Sequence, residues 1–179
     1  MTQRRVVITG LGQVSPVGND VPSAWQNLLA GKSGIGKITR FDASDIACQI
    51  AGEVKDFDVT QYIPPKEARR MDAFIHYGIA GAMQAIADAR LDEFAELDKD
   101  RVGVNIGSGI GGLPAIEATA NVVAAGGARK INPFFIPSSL INLIAGHVTI
   151  LKGYRGPSYG IVSACTTSAH AIGDSMRMI

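Results

Sequence analysis

Apolar residues along this chain follow two patterns, short continuous or alternating runs and longer stretches with helical spacing. The short runs predict strands at residues 5–9, 46–50, 102–106 and 159–162. The helical spacing predicts helices over about residues 20–29, 65–90, 114–125 and 138–151, and a last helix that Cys165 opens. Strands that alternate with helices predict parallel βαβ units and an α/β fold class.

Two of the predicted helices have an unusual composition. Gly78 and Gly81 lie within the longest helix, where each glycine costs about 1 kcal/mol relative to alanine. We therefore expect another backbone to approach this helix closely at these positions. The helix over residues 138–151 has almost no polar face, which is typical of a protein interior or a subunit interface.

Composition narrows the functional classes. The chain has 179 residues, of which 46% are hydrophobic and 18% charged, and its formal net charge is +1. This length suits one domain, and the charge gives no reason to expect a nucleic acid or a membrane surface as a partner. Because no uncharged apolar stretch reaches about 18 residues, we expect no transmembrane helix. Because a strand is predicted to begin at residue 5, we expect no signal or transit peptide.

The two cysteines, Cys48 and Cys165, are too few for a disulfide framework or a zinc site, so we expect no metal and a reducing cytoplasm. Cys48 falls within a predicted strand and is interpreted as packed rather than reactive. Cys165 follows an apolar run and precedes a helix. A helix N-terminus favours the thiolate, the form that attacks carbonyl groups, so Cys165 is the candidate nucleophile. The alternative is a buried structural cysteine that behaves as a small hydrophobe.

The three histidines do not complete a catalytic site around Cys165. His170 lies five residues further along the helix, about 500° around its axis, and is expected to point away from the thiol. We expect His76 to be solvated and His147 to be a hydrogen-bonded interior residue. Helical spacing also continues to Ile179 without a glycine, asparagine or proline to end it. We therefore expect the chain to be the front part of a larger enzyme whose other catalytic groups lie elsewhere.

A glycine-rich segment at residues 107–112 matches the spacing G-x-G-x-x-G between a predicted strand and a predicted helix. Dinucleotide binding also requires an acidic residue about 20 positions further on, and residues 124–130 contain none. We therefore expect no nicotinamide cofactor. The segment is interpreted as a turn where backbones pack tightly, with Ile110 at its tip beside a cavity.

Several motifs run through the chain in the order seen in one enzyme family. They are Arg5-Val-Val-Ile-Thr-Gly-Leu-Gly12, Ser15-Pro-Val-Gly18, Gly31-Lys-Ser-Gly34, Arg70-Met-Asp-Ala-Phe74, Gly107-Ser-Gly-Ile-Gly-Gly112, Asn132-Pro-Phe-Phe135, Gly156-Pro157 and Ala164-Cys165-Thr166. From residue 4 to residue 179 the chain resembles the β-ketoacyl-[acyl-carrier-protein] synthases of bacterial fatty acid synthesis. The resemblance implies a thiolase-like fold, a layered α-β-α-β-α sandwich. Residues 1–179 would be its N-terminal ketosynthase domain, incomplete because the C-terminal half is absent.

The resemblance also implies a chemistry. In similar enzymes an acyl group passes from acyl-carrier protein to a cysteine, here Cys165. A carbanion made by decarboxylation of malonyl-carrier protein then attacks this thioester in a Claisen condensation. The backbone N–H of Cys165 would be an oxyanion donor, and no cofactor is implied. Such enzymes form homodimers, and their two catalytic histidines lie in the second half of the sequence, so we expect the residues present here to be inactive alone.

Binding residues follow from the same resemblance. The acyl pocket is expected to include Ile110 and Ile136, with Phe135 reaching it from the partner subunit. Two basic clusters resemble the positions that contact the acidic carrier protein: Lys66, Arg69, Arg70, Arg129 and Lys130. On composition alone, each cluster could equally be a solvated charged face.

Two other functions stay open at this point. One is a non-elongating partner subunit of the same fold, in which the nucleophile is typically replaced, commonly by glutamine. The other is a thiolase or another cysteine acyltransferase. Cys165 argues against the first function, and the flanking motifs argue against the second.

Overall fold

The computed structural model describes residues 4–179. Seven helices lie within them: α1 (Val21–Leu29), α2 (Pro65–Ala68), α3 (Ala73–Asp88), α4 (Leu113–Gly126), α5 (Phe135–Ser139), α6 (Leu143–Lys152) and α7 (Thr167–Met178). Four short strands and five single 3-10 turns complete the described elements, and the strands are β1 (Ile35–Lys37), β2 (Ile50–Gly52), β3 (Val104–Asn105) and β4 (Ser158–Tyr159). None of the helices in this part of the chain is long and apolar enough to cross a membrane.

The core lies where α3 packs against α6. Ile75 and Ile79 of α3 are fully buried, and so is Val148 of α6. Burying a side chain of this size typically contributes about 1.5–3 kcal/mol to the free energy of unfolding. Gly78 lies at the contact, because a Cβ on it would be only 2.5 Å from Cγ2 of Ile144. A close approach is present at Gly78, but the expectation that a backbone makes it is wrong, because the neighbour is the Ile144 side chain.

The α/β unit predicted around the last strands is present but shorter than expected. β3 and β4 pair in parallel, with Val104 opposite Ser158 and Asn105 opposite Tyr159. The crossover between them carries α4, α5 and α6. Helix α7 is tied to this pair because the Asn105 side-chain amide donates to the carbonyl of Ala171 over 3.1 Å.

A separate antiparallel hairpin, β1 with β2, replaces the strand predicted at residues 46–50. The strand begins only at Ile50, so Cys48 lies in the preceding loop and is exposed. The prediction that Cys48 is packed is therefore wrong. The alternating apolar residues that suggested a half-buried strand include Ile46 and Ile50, which are 41% and 57% exposed.

The strand predicted at residues 5–9 does not form. Within residues 4–179 no strand lies beside this segment, and Val7 and Ile8 are 63% and 75% exposed. The following residues instead lie along α3, where the Leu11 N–H donates to Asp88 Oδ2 over 2.9 Å. A Cβ on Gly12 would lie 2.8 Å from the carbonyl carbon of Gly81, so the two backbones are close, but a Cβ on Gly81 itself would meet nothing within 4 Å. The expectation that a close approach requires glycine at position 81 is therefore wrong.

The helix predicted over residues 65–90 is broken at Asp72. One carboxylate oxygen of Asp72 accepts from the Ala73 N–H at the start of α3, over 2.5 Å. The other accepts from the Ala115 N–H in the first turn of α4, over 2.8 Å. Asp72 therefore contacts the N-termini of two helices, and the predicted helix is interrupted before residue 73.

The helix predicted over residues 138–151 is only partly interior. Helix α6 begins at Leu143, and the first residues of the predicted range belong to α5. Ile144 and Val148 are buried, but Ile150 and Leu151 are 77% and 47% exposed. One face of α6 thus packs on α3, and the other is an uncovered apolar face.

Candidate active site

The candidate nucleophile lies in a tight turn at the start of α7. Cys165 is the middle residue of a single 3-10 turn, Ala164–Thr166, and α7 begins immediately after it. The side chain is exposed, so the alternative of a buried structural cysteine is wrong. Among residues 4–179 no acceptor takes a hydrogen bond from the Cys165 N–H. Both the thiol and its own amide are therefore available to a bound carbonyl group.

The backbone before Cys165 has an unusual conformation. Ala164 has a φ of +50°, in the left-handed region that non-glycine residues rarely adopt. Thr167, the first residue of α7, is buried and bridges the turn through its hydroxyl. Neither feature was predicted, since alanine and threonine at these positions carry no local sign of a left-handed turn or a bridging hydroxyl.

The glycine-rich segment at residues 107–112 packs between the nucleophile turn and the end of α5. At one end, a Cβ on Gly109 would lie 3.3 Å from the Ala164 carbonyl oxygen. At the other end, the Gly112 N–H donates to the Ser139 carbonyl over 3.1 Å, and a Cβ on Gly112 would lie 2.7 Å from the Ser139 Cα. The interpretation as a tightly packed backbone turn is confirmed.

This packing brings together the two segments that carry the expected acyl-pocket residues. Ile110, at the tip of the glycine-rich segment, is 72% exposed, and Ile136 of α5 is 57% exposed. Phe135 is half-buried and lines a cavity of about 220 Å³ with Lys130 and Asn132. All three side chains thus lie on the segments that meet at Gly112 and Ser139, and their role in binding an acyl chain stays a prediction.

Each of the two basic clusters has one member at the segment at residues 132–135. Lys66 and Arg69 are exposed, whereas Arg70 is half-buried. Arg70 pairs with Glu67 over 3.1 Å, and its guanidinium lies 4.5 Å from the centroid of the Phe134 ring. In the second cluster Arg129 is exposed, and Lys130 shares the cavity of Phe135. Clusters about 60 positions apart in sequence therefore approach the same short segment.

None of the three histidines hydrogen-bonds to Cys165 within the described residues. His170 Nδ1 lies 2.6 Å from Ser163 Oγ, so it contacts the nucleophile turn rather than the thiol. His76 is half-buried with Nε2 2.9 Å from the Ala68 carbonyl oxygen, and the expectation that it is solvated is wrong. His147 is half-buried on α6, where burial lowers its pKa.

The structure assigns no metal site to this region. Among residues 4–179 no group of three or more histidine, cysteine, aspartate or glutamate side chains is placed to hold an ion. At the nucleophile turn the described residues offer an exposed thiol beside its own unpaired amide.

Comparison with known proteins places this geometry in context. Residues 3–179 match the family model described as Beta-ketoacyl synthase, N-terminal domain. The 3-oxoacyl-[acyl-carrier-protein] synthase 2 of Vibrio harveyi is 52% identical over 179 residues, which are 100% of this chain and 43% of that protein.

Solved structures agree with this match. The ishigamide ketosynthase/chain length factor superposes with a TM-score of 0.84 at 25% identity, covering 98% of this chain and 45% of that one. A type II PKS acyl-carrier protein in complex with its ketosynthase bound to the hexaketide gives a TM-score of 0.76 at 27% identity, covering 98% and 47%. The chain thus spans less than half the length of the proteins that it matches.

Proposed function

Because this chain belongs to the β-ketoacyl synthase family, we propose that the full-length protein is a 3-oxoacyl-[acyl-carrier-protein] synthase that elongates acyl chains in fatty acid synthesis. The fold is that of thiolase-like ketosynthases, and residues 1–179 would form the N-terminal domain of that enzyme. The observation that carries the proposal is Cys165, an exposed thiol at the start of α7 with its own amide unpaired among residues 4–179.

In the first step the Cys165 sulfur attacks the carbonyl carbon of an acyl-carrier-protein thioester. A new C–S bond forms, the bond to the carrier's sulfur breaks, and the carrier leaves as a thiol after taking up a proton. Negative charge develops on the carbonyl oxygen during the attack. The free N–H of Cys165 is a suitable donor to that oxygen, because a preorganised amide at a helix N-terminus needs no rearrangement.

In the second step malonyl-carrier protein loses CO2, and the resulting carbanion attacks the thioester on Cys165. A C–C bond forms and the cysteine leaves as a thiolate, which frees it for another cycle. The enolate needs further hydrogen-bond donors. His76 and His170 are hydrogen-bonded to Ala68 and Ser163, respectively. We therefore assign enolate stabilisation to residues in the part of the relatives that this chain does not cover.

We also propose that the carrier protein docks at the two basic clusters. Lys66, Arg69, Arg129 and Lys130 are exposed, and each cluster has one member at the segment at residues 132–135, Arg70 on Phe134 and Lys130 beside Phe135. An acidic partner would be attracted to both clusters. A homodimer fits the uncovered apolar face of α6, on which Ile150 is 77% exposed. A free thiol at Cys165 suits a reducing cytoplasm.

The proposal is tested with the full-length protein, acyl-carrier protein and malonyl-carrier protein, with the elongated 3-oxoacyl product measured by mass spectrometry. Cys165→Ala is expected to abolish product, and Cys48→Ala is the matched control because Cys48 is the other exposed cysteine. Product formation by the Cys165→Ala variant would overturn the proposal. Binding of both carrier proteins without condensation would instead favour a non-elongating subunit.

A further inference from the structure

We propose that Thr167 is a positioning residue that holds the nucleophile turn, residues 163–167, in the shape that presents Cys165. The inference rests on the proposed role of Cys165 and names the side chain that orients it. Among residues 4–179, Thr167 is the polar residue that is buried, at 4% exposure, whereas Ala164, Cys165 and Thr166 are all exposed. A buried hydroxyl is unfavourable unless it is hydrogen-bonded. The hydrogen bonds of the Thr167 hydroxyl therefore indicate its structural role.

The Thr167 hydroxyl bridges the turn on the side away from solvent. It accepts a hydrogen bond from the Ser163 N–H over 2.9 Å and donates one to the Ala164 carbonyl over 2.7 Å. These two bonds use the single proton of the hydroxyl and one of its lone pairs. The bonded groups belong to the two residues that precede Cys165, so the hydroxyl fixes the direction in which the chain enters the nucleophile.

The turn needs such a tie because Ala164 adopts the left-handed conformation, with a φ of +50°. This conformation is unfavourable for alanine, since its Cβ approaches the following carbonyl oxygen, and it persists only where surrounding contacts hold it. A second tie, between His170 Nδ1 and Ser163 Oγ at 2.6 Å, is exposed to solvent and competes with water. The buried Thr167 bonds are therefore the stronger restraint.

The methyl group of Thr167 makes a separate packing contact. It packs against Gly107, where any Cβ would collide with Thr167 Cγ2. The two branches of the side chain can thus be removed one at a time. Thr167→Val keeps the methyl contact and loses both hydrogen bonds, whereas Thr167→Ser keeps the hydroxyl and loses the methyl contact.

The experiment measures alkylation of the full-length protein by limiting iodoacetamide, without substrate, as separate rates for Cys165 and Cys48 by peptide mass spectrometry. Cys48 is exposed and remote in sequence, so it is an internal reference within each molecule. We expect Thr167→Val to lower the rate at Cys165 about ten-fold relative to Cys48, the scale of one or two lost hydrogen bonds. We expect Thr167→Ser to keep the wild-type ratio even if its melting temperature falls.

A second variant covers the case in which Thr167→Val does not fold. Glycine adopts the left-handed conformation freely, so Ala164→Gly is expected to reduce the need for the hydroxyl. The double variant Ala164→Gly/Thr167→Val should then show nearly the same rate ratio as Ala164→Gly alone. A ten-fold lower ratio in the double variant would overturn the link to Ala164.

Two further results separate the possible failures. An unchanged Cys165-to-Cys48 ratio in Thr167→Val, or a loss in Thr167→Ser as large as in Thr167→Val, would overturn the positioning role. A wild-type protein that shows the expected alkylation pattern but accepts no acyl group from carrier protein would overturn the proposed function and leave the role of Thr167 supported.

Discussion

Ile144 of α6 occupies the space beside Gly78 of α3 that a side chain on the glycine would need, with Cγ2 only 2.5 Å from the position of a Cβ. Both residues lie in the contact between the two helices that form the core. Because of this contact, a glycine-to-alanine substitution in α3 can raise or lower the free energy of unfolding, depending on its position along the helix.

Gly78→Ala is expected to destabilise the protein by about 1–3 kcal/mol, because the added methyl group overpacks the contact with Ile144. Gly81→Ala is the matched control on the same helix. A Cβ at Gly81 meets nothing within 4 Å, so this change is expected to stabilise by about 0.5–1 kcal/mol through helix propensity. Denaturant unfolding of the full-length variants measures both values, and equal effects of the two substitutions would contradict the packing described here.

Burial of His147 predicts a dependence of stability on pH. Burial lowers the pKa of His147 below its ordinary value of 6.5, and the negative charge of Glu67 opposes this only in part. Below pH 6.5 the unfolded chain therefore binds more protons at this residue than the folded chain does. The contribution is fully present above pH 6.5 and is lost as the pH falls through the folded-state pKa.

We expect the free energy of unfolding of the wild-type protein to fall between pH 7 and pH 5 more steeply than that of His147→Asn. Chemical denaturation at several pH values checks this difference in slope. Equal slopes of the free energy of unfolding against pH for the two proteins would show that His147 has the same pKa in the folded and unfolded states.

The docking proposal predicts a change in the KM for carrier-protein substrates. Lys66→Glu/Arg69→Glu reverses two exposed charges and is expected to raise KM by about ten-fold at low salt, with little change in kcat. Arg70 is left intact because it also packs on Phe134 and pairs with Glu67. The effect should shrink as ionic strength rises, since salt screens exposed charges.

Lys32→Glu/Lys37→Glu is the control for this prediction, because it makes the same change in net charge at two other exposed lysines. Its KM should stay close to that of the wild-type protein. An equal rise in KM for both double variants would assign the effect to overall charge rather than to a docking site.

Local patterns predicted helices well where a cap or a glycine fixes the boundary. Helix α1 was expected over residues 20–29 and spans Val21–Leu29, and the Asp20 side chain accepts from the Ser23 N–H over 2.7 Å at its start. The break at Asp72 was missed because the apolar stripe continues across it. At this break the Asp72 carboxylate accepts from the Ala115 N–H, 43 positions away, and no local window contains that contact.

The strand at residues 5–9 shows a different limit. A continuous apolar run predicts burial, but a strand also needs a neighbour to take its backbone hydrogen bonds. Within residues 4–179 nothing supplies that neighbour, and Val7 and Ile8 stay exposed. The apolar pattern therefore shows that the segment is suited to a buried strand. It does not show that a neighbouring strand is present.

For the candidate site, sequence position was enough to find Cys165 but not the residues that hold it. A cysteine between an apolar run and a helix is visible in the sequence, and the tight packing of the glycines at 107–112 follows from their spacing. The left-handed conformation of Ala164 is not visible, because alanine does not favour it. Thr167 acts through contacts with Ser163 and Ala164 that exist only once the turn has formed.

The most direct test of the central claim is to trap the acyl-enzyme. The full-length protein is incubated with acyl-carrier protein alone, digested, and analysed by peptide mass spectrometry. The account predicts that the acyl mass appears on the peptide that contains Cys165, is absent from the peptide that contains Cys48, and disappears in Cys165→Ala. Acyl transfer that persists in Cys165→Ala, or that maps to another residue of the wild-type protein, would contradict it.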